Sequence, residues 1–298
     1  MTVYNAMPFL PAAVESILGQ TYTDFRFVIV NDGSNDGSRE YLASLKDPRI
    51  LLLDQENQGQ QAAANRGIAA SCSEYVARMD GDDVADLRRL ELQVAHLDRH
   101  PEIGLVGGQI FRLGAQRSGL RSNFPTEHEP IVQALLRNHH SMCNATIMFR
   151  SKLFDEIGGY WEHNIAEDWD MFLRMSEVSR LANLSEVLLS CRLHRGSING
   201  RRIVEAQLFN EYAARLAVNR ASSVPHVPFK EFLAEHRSQR WPNSWLFYLD
   251  CQSIGQYRES VAEIYNDQYL KGYARLFFSM LISPNRTWRR LRNMLSRD

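Results

Sequence analysis

The chain has 298 residues, of which 44% are hydrophobic and 23% are charged, and its formal net charge at pH 7 is −1. This length allows one large domain, or one domain with an appendage, and the composition is that of an ordinary globular protein. Proteins that bind the phosphate backbone of nucleic acid need an excess of basic charge, so the near-neutral balance argues against that class.

The four cysteines, Cys72, Cys143, Cys191 and Cys251, lie far apart and form no C-x-x-C pair. Neither a zinc knuckle nor a redox motif is therefore predicted, and sparse free cysteine is typical of a reducing cytoplasm. The start shows no basic-then-apolar signal segment. The longest apolar run near the C-terminus, 276–282, is far shorter than the roughly 20 residues that a bilayer span needs. We expect a cytoplasmic protein that is soluble or peripheral at the inner face of the cell membrane.

The first half of the chain alternates helix-like and strand-like segments. Leu10, Val14 and Ile17 fall at i, i+4 and i+7, which places them on one face of a helix. The segments predicted after it are a strand at 25–30, a helix at 38–45, a strand at 50–53, a helix at 60–70, a strand at 74–79 and a helix through 87–97. Such alternation predicts an α/β fold with a mainly parallel sheet flanked by helices.

Both ends of the chain depart from this alternation. After Met1 the sequence enters a helix within a few residues, so only the last part of a first strand is predicted there. Beyond Ser197 the strand pattern disappears. Helices are predicted at 201–219, 229–237 and 244–281. We therefore predict an α/β domain over residues 1–200 and a helical extension over residues 201–298.

The strongest chemical feature is the run Asp80-Gly81-Asp82-Asp83 at the end of a predicted strand. In open α/β sheets, ligands bind at the carboxyl ends of strands. Three carboxylates within four residues repel one another, and a divalent cation such as Mg²⁺ or Mn²⁺, which prefers oxygen ligands, removes that repulsion. The alternative is a solvated acidic turn in which Asp83 or Asp86 caps the next helix.

Other candidate residues have simpler alternatives. Asp32 ends a strand within Asn-Asp-Gly-Ser and is either part of an Asx turn or a carboxylate that faces a nucleobase or ribose. Glu167 and Asp168 open a predicted helix, where the macrodipole alone favours carboxylates. Their functional interpretation is a general base. His194 is a metal ligand, a donor to phosphate or an ordinary surface imidazole.

Taken in order and spacing, these motifs resemble those of the family 2 glycosyltransferases, which have the GT-A fold. The resemblance covers roughly the first 200 residues. Its fragments are Thr2 to Ala6, Ser16 to Tyr22, Val30 to Ser34, Asn57 to Gly59, Ala63 to Gly67, Tyr75 to Asp83, Gly158 to Tyr160, Glu167-Asp168, and Arg192 with His194 and Ser197. The chain departs from the family pattern in its short first strand and at Ala64, where the family often has arginine.

The resemblance implies a role for each matching position on the donor side. It implies that Thr2 and Tyr4 line a nucleotide pocket, with the Tyr4 ring against the base. Asp32 resembles the carboxylate that accepts a hydrogen bond from the base, most often uracil. Asp80 resembles the first residue of the D-x-D motif, which lies towards the ribose.

For the reaction itself, the resemblance implies that Asp82 and His194 bind a divalent cation, Mn²⁺ or Mg²⁺, that bridges the diphosphate. It implies that Asp168 is the catalytic base and that Glu167 supports it. The implied activity is inverting transfer of a sugar from a nucleoside-diphosphate donor, a UDP-sugar, to a saccharide or lipid-linked acceptor in bacterial cell-surface polysaccharide synthesis.

Two further functions stay open at the level of sequence. One is a catalytically inactive relative that only binds saccharide or nucleotide, an idea motivated by the short first strand and weakened by the retention of every acidic position. The other is a sugar nucleotidyltransferase. That class is expected to have a Gly-rich, basic triphosphate-binding loop near the N-terminus, and the sequence shows none.

The Arg-rich C-terminal end is a candidate for membrane contact. Trp288, Leu291 and Leu295 have helical spacing within a segment dense in arginine. A basic amphipathic helix with tryptophan on its apolar side binds anionic lipid. The alternative is that the apolar residues pack on the domain and the arginines are solvated.

Overall fold

The structure, a computed structural model, describes residues 1–113, 118–161, 167–192, 203–238, 243–265 and 268–283. The chain divides into two compact units. The first, here called the α/β unit, consists of residues 1–112 and 120–192. The second contains the helices that follow residue 203 and is called the helical unit. The predicted boundary at residue 200 lies outside the described residues.

Three parallel strands form the first sheet, in the order β1 (Thr2–Val3), β2 (Phe27–Asp32) and β3 (Ile50–Gln55). The central strand β2 is buried along its whole length, as expected for a strand with neighbours on both sides. The helices that alternate with these strands are α1 (Leu10–Leu18), α2 (Ser38–Ser44) and α3 (Gln60–Ala69). The alternation predicted for this part of the chain is confirmed.

A second sheet has the strand order β4-β8-β6-β9-β5, with β7 paired to β6. Its strands are β4 (Tyr75–Ala77), β5 (Val84–Ala85), β6 (Ile103–Leu113), β7 (Ser118–Arg121), β8 (Met148–Arg150) and β9 (Arg180–Arg192). The pairs β4–β8, β6–β8 and β5–β9 are antiparallel. The α/β fold class is confirmed, and the antiparallel half is an addition that sequence periodicity could not indicate, since it does not report which strands pair.

The remaining helices of the α/β unit are α4 (Arg89–Arg99), α5 (His128–Leu136), α6 (Ser151–Glu156) and α7 (Glu167–Val178). An apolar core of α1 and β2 residues, including Leu10 and Ile29, lies beneath the ends of β1 and β2. At the edge of the first sheet, Thr2 forms a parallel bridge with Asp80. That bridge brings the acidic turn after β4 beside the end of β1.

Within the described residues, the helical unit contains four helices: α8 (Ile203–Ala221), α9 (Phe229–Ser238), α10 (Asn243–Tyr265) and α11 (Tyr269–Ile282). The helical nature of this region is confirmed. The stretch predicted as one helix over 244–281 is divided into α10 and α11. Of the helices that the structure describes, none has the length and apolarity to cross a membrane. The Arg-rich segment beyond residue 283 lies outside the described residues.

Candidate active site

The start of helix α3 joins three of the predicted acidic positions. Consecutive residues of one helical turn point in different directions, so neighbouring donors reach separate partners. The hydrogen bonds are from Gly59 N–H to Asp32 Oδ2 at 3.0 Å, from Gln60 Nε2 to Asp80 Oδ1 at 3.2 Å and from Gln61 Nε2 to Glu167 Oε2 at 2.9 Å. The end of β2, the acidic turn and the start of α7 therefore meet at one helix end.

Asp32 lies at the end of β2 with only 3% of its surface exposed. Besides the bond from Gly59, its Oδ1 accepts hydrogen bonds from Gln55 Nε2 at 2.7 Å and from Gln58 N–H at 2.9 Å. The carboxylate thus binds the loop that follows β3. A carboxylate has about four acceptor sites, and these contacts occupy three of them. The predicted contact with a base stays a prediction.

The turn after Asp32 depends on glycine. Gly33 has φ +75°, and a Cβ at this position would lie 2.7 Å from the backbone nitrogen of Asn57. The Asn57 side chain in turn donates to the backbone oxygen of Asp32 at 3.1 Å. The β2 end and the loop after β3 are therefore in closer contact than any side chain at residue 33 would permit.

The two other predicted donor-side residues lie at the end of β1. Thr2 pairs with Val30 of β2 and, on its other side, with Asp80. Tyr4 follows the strand with 52% of its surface exposed. Thr2 and Asp80 are thereby brought together, while the Tyr4 ring remains accessible for stacking.

The three carboxylates of the acidic turn have different surroundings. Asp80 forms an ion pair with Arg78 at 2.5 Å, and Asp82 is partly buried. Asp83 is buried, and its Oδ1 accepts the backbone N–H of Arg192 at 2.9 Å. Burial first, and then the negative charges of Asp80 and Asp82, raise the pKa of Asp83. The run is therefore more than a solvated turn.

The capping alternative is settled by the bond partners around helix α4. The Asp83 carboxylate bonds to β9, as described above. Asp86 Oδ1 accepts the backbone N–H of Arg88 at 2.9 Å, immediately before the helix begins. The N-cap residue of α4 is Arg88 and no side chain caps the helix, so neither Asp83 nor Asp86 is its cap.

Arg78 is a buried cation that sequence reasoning did not select. Only 6% of its surface is exposed, and Asp80 is its ion-pair partner. Burial disfavours the charged guanidinium, but Asp80, Tyr160 and Glu167 outweigh this effect and raise the pKa of Arg78. Fully buried arginine is rare unless a carboxylate pairs with it. In the sequence, the position of Arg78 two residues before the acidic run is the signal that could have indicated this ion pair.

The acidic pair opens helix α7. Asp168 is partly buried, and its Oδ1 accepts the N–H of Trp169 at 2.9 Å. Its enclosure by protein and the charge of Glu167 raise the pKa of Asp168 to about 7, while Arg78 acts in the opposite direction. A carboxylate whose pKa lies near the working pH is suited to general base catalysis.

Asn65 of α3 joins this helix to the segment before α7. Its Nδ2 donates to the backbone oxygen of Tyr160 at 3.0 Å, and its Oδ1 accepts the N–H of Tyr160 at 3.1 Å. The Tyr160 hydroxyl donates to Asn144 Oδ1 at 3.0 Å. Asn65, Gln60 and Gln61 were all missed as site residues, because a polar side chain in a helix carries no mark of its distant partner.

For metal binding, the described residues contain no group of three or more His, Cys, Asp or Glu side chains that could hold an ion alone. His194, the second predicted ligand, lies outside the described residues. Oxygen donors at Asp80 and Asp82 still fit Mg²⁺ or Mn²⁺, which proteins commonly bind through one or two carboxylates together with substrate phosphates and water.

The alternating helices and strands, with acidic groups at strand ends, are the arrangement expected of the GT-A fold. A family model described as glycosyl transferase family 2 matches residues 1–158, which is more than half of the chain. The chain therefore belongs to family 2 of the glycosyltransferases, and the resemblance found in the sequence is confirmed.

Relatives in bacteria agree with this assignment. EpsE of Bacillus subtilis, which is named as a glycosyltransferase, is 32% identical over 202 residues, covering 64% of this chain and 71% of EpsE. The amylovoran biosynthesis glycosyltransferase AmsE of Erwinia amylovora is 29% identical over 199 residues, covering 65% of this chain and 74% of AmsE.

Solved structures of similar fold include TarS residues 1–349 from S. aureus in complex with UDP-GlcNAc. Its TM-score is 0.60 at 14% identity, and the match covers 97% of this chain and 90% of that one. The mannosyltransferase PcManGT from Pyrobaculum calidifontis, in complex with GDP-Man and Mn²⁺, has a TM-score of 0.52 at 16% identity, covering 93% of this chain and 85% of that one. At these identities the similarity establishes the fold.

Proposed function

We propose that this glycosyltransferase is a metal-dependent, inverting enzyme that uses a UDP-sugar donor. The observation that supports it best is the convergence at α3, where Gly59, Gln60 and Gln61 contact Asp32, Asp80 and Glu167. One helix end thereby places the carboxylates proposed for the donor beside the acidic pair proposed for the acceptor.

On the donor side, the exposed Tyr4 ring is proposed to stack on the base and the remaining acceptor site of Asp32 to receive a base N–H. Thr2 and Asp80, which lie together at the edge of the first sheet, would face the ribose. The TarS structures with UDP-GlcNAc and UDP support uracil. PcManGT with GDP-Man makes guanine the alternative, because both bases present a ring N–H to a carboxylate.

In the reaction, Asp168 accepts the proton of an acceptor hydroxyl, and Glu167, bound to Gln61, supports its position. The hydroxyl oxygen then forms a bond to the anomeric carbon as the bond to the diphosphate oxygen breaks, which inverts the configuration. Asp82 and His194 would hold a Mn²⁺ or Mg²⁺ ion, which, when bound, stabilises the charge of the leaving diphosphate as a Lewis acid.

The acceptor is proposed to be a saccharide or a lipid-linked saccharide of bacterial cell-surface polysaccharide synthesis. The relative AmsE, named for amylovoran biosynthesis, supports this proposal. A screen of sugar nucleotides with acceptor mixtures, in which release of free nucleoside diphosphate is measured, distinguishes an enzyme from a relative that only binds its ligand.

Isothermal titration with UDP, with and without Mn²⁺, tests the proposal directly. Binding is expected to be at least tenfold tighter with Mn²⁺, and Asp82→Ala is expected to remove most of that gain, because it deletes a ligand of the ion. GDP serves as the competing nucleotide. Asp155→Ala, at an exposed carboxylate of α6, is the matched control and should behave as the wild type. Folded protein that binds neither nucleotide in a metal-dependent way would contradict the proposal.

A further inference from the structure

Helix α11 exposes several large apolar side chains. Their exposed fractions are 91% for Leu270, 58% for Tyr273, 63% for Phe277, 53% for Phe278 and 62% for Leu281. Positions 270, 273, 277 and 281 recur every three or four residues and so form one stripe along the helix. A contiguous apolar stripe of this kind is uncommon on the surface of a monomeric protein and is typical of an interaction surface.

The opposite side of α11 packs against α10, and the two buried residues of the helix, Gly272 and Ser279, are both small. Gly272 approaches α10 so closely that a Cβ there would lie 2.5 Å from Ile264 Cγ1. Ser253 Oγ donates to the backbone oxygen of Ser279 at 3.0 Å, and Ser279 Oγ donates to that of Ser253 at 2.9 Å. The packing of α10 against α11 therefore leaves the large apolar residues uncovered, and their exposure is a property of the folded helix pair.

The charged side chains of α11 and of the sequence up to residue 297 are all positive. Residues 268–297 contain no aspartate or glutamate. The basic residues in this stretch are Lys271, Arg275, Arg286, Arg289, Arg290, Arg292 and Arg297. Lys271 and Arg275 form ion pairs with Glu263 of α10, both at 3.0 Å, so the excess charge lies in the sequence immediately after α11. An apolar stripe that is continuous in sequence with such a basic segment is complementary to a surface that is both apolar and anionic.

Three kinds of occupant can cover an apolar helix face, and the observations favour one. A second copy of the chain would bring its own acid-free, basic segment against this one, which repulsion opposes. Spanning a bilayer is excluded for α11, because its 14 residues extend about 21 Å, against roughly 30 Å of hydrocarbon. A helix with aromatic and aliphatic residues on one side, followed by clustered arginine, fits the interface of an anionic bilayer.

We propose that the exposed face of α11 docks on an anionic lipid surface, and that the positive charge of the sequence after it adds to the attraction. The apolar stripe would enter the boundary between headgroups and acyl chains, and the arginines would contact the acidic headgroups. The face of α11 belongs to the helical unit, whereas the described residues proposed for the nucleotide belong to the α/β unit.

Flotation of the full chain with vesicles tests the proposal. Wild-type protein is expected to float with vesicles of phosphatidylcholine and phosphatidylglycerol, and not with phosphatidylcholine alone. Binding should fall when the salt concentration is raised from 50 to 500 mM, because salt screens the headgroup charge. The variant Leu270→Ser/Phe277→Ser/Leu281→Ser and, separately, Arg286→Gln/Arg289→Gln/Arg290→Gln should each reduce the bound fraction at least fivefold.

The matched control replaces three exposed valines elsewhere, Val178→Ser/Val218→Ser/Val224→Ser, which should float as the wild type does. Each variant is used only if its melting temperature and UDP binding equal those of the wild type. Flotation of the serine variant at the wild-type level would overturn the proposal, as would equal binding to neutral vesicles. A concentration-dependent dimer that the serine variant abolishes, without flotation of the wild type, would assign the face to a second copy and also overturn it.

Discussion

The α/β unit and the helical unit place their apolar residues in opposite ways. In the α/β unit, Leu10 of α1 and Ile29 of β2 are fully buried, and the polar groups that converge at α3 are bonded to one another. In α11 of the helical unit, glycine and serine face the neighbouring helix while Leu270 and Phe277 face outwards. Apolar residues at helical spacing therefore predict a face that is stable when covered. The spacing alone does not show whether the protein's own core or a partner covers that face.

The largest effect is expected within the acidic group of the α/β unit. Asp168→Asn should lower the transfer rate by about 10²–10⁴-fold, because an amide cannot accept the proton of the acceptor hydroxyl. The UDP dissociation constant should change by less than twofold, since the proposed role of Asp168 concerns the acceptor and not the nucleotide. Steady-state rates and titration with UDP measure the two quantities. Near-normal turnover would show that the base is elsewhere.

The same carboxylate predicts a pH dependence of rate and of stability. Its pKa, raised to about 7, means that the wild-type rate falls about tenfold per unit as pH drops below that value, because the protonated form is no base. Asp168 favours the folded state most at low pH, and this contribution is lost as pH rises from about 4 to 7. At pH 8, Asp168→Asn should therefore melt higher than the wild type, and the gain should vanish near pH 4. A variant less stable at pH 8 would contradict this.

Buried and exposed ion pairs offer a second comparison between the two units. Arg78→Met should cost about 3–5 kcal/mol of unfolding free energy, since it leaves Asp80 without its buried partner beside Glu167 and Asp168. Arg215→Met breaks an exposed pair with Glu235 in the helical unit and should cost less than about 1 kcal/mol. Urea titration measures both. Equal costs would show that burial does not distinguish these pairs.

The smallest effect is expected on the exposed face of α11. Phe277→Ala should change the unfolding free energy by less than about 0.5 kcal/mol, because its ring loses little contact. Leu10→Ala, in the core of the α/β unit, should lower the unfolding free energy by about 2–5 kcal/mol, although it removes fewer atoms than Phe277→Ala does. A large loss from Phe277→Ala would show that the stripe is covered by the protein itself.

Elements with a strong period were predictable from sequence. The segments at 60–70 and 229–237 correspond to Gln60–Ala69 and Phe229–Ser238 in the structure. The strand predicted at 25–30 is Phe27–Asp32 in the structure, so both of its ends lie two residues later than predicted. The antiparallel sheet was not predictable, because β4 and β8 are distant in sequence and a pattern within one strand does not name its partner.

In the candidate site, too, some residues could be predicted from the sequence and others could not. Carboxylates at strand ends, such as Asp32 and Asp80, follow from the rule that ligands bind there. The contacts of Gln60, Gln61 and Arg78 depend on packing between segments that lie far apart in the chain. For the same reason the burial of Asp83 was unexpected, since its partner is the backbone of Arg192 at the far end of β9.

Helix α3 has a consequence for the order in which substrates bind. In its first turn, Gln60 donates a hydrogen bond to Asp80 and Gln61 donates one to Glu167. One turn later, Asn65 forms two hydrogen bonds with the backbone of Tyr160. If the proposed nucleotide displaces the bond between Gln60 and Asp80, we expect helix α3 to move and Glu167, which is bound to Gln61, to move with it. The proposed catalytic base, Asp168, would then be correctly oriented for the acceptor only after the donor has bound. Product-inhibition kinetics test this order of binding. The nucleoside diphosphate is expected to be a competitive inhibitor with respect to the donor and not with respect to the acceptor.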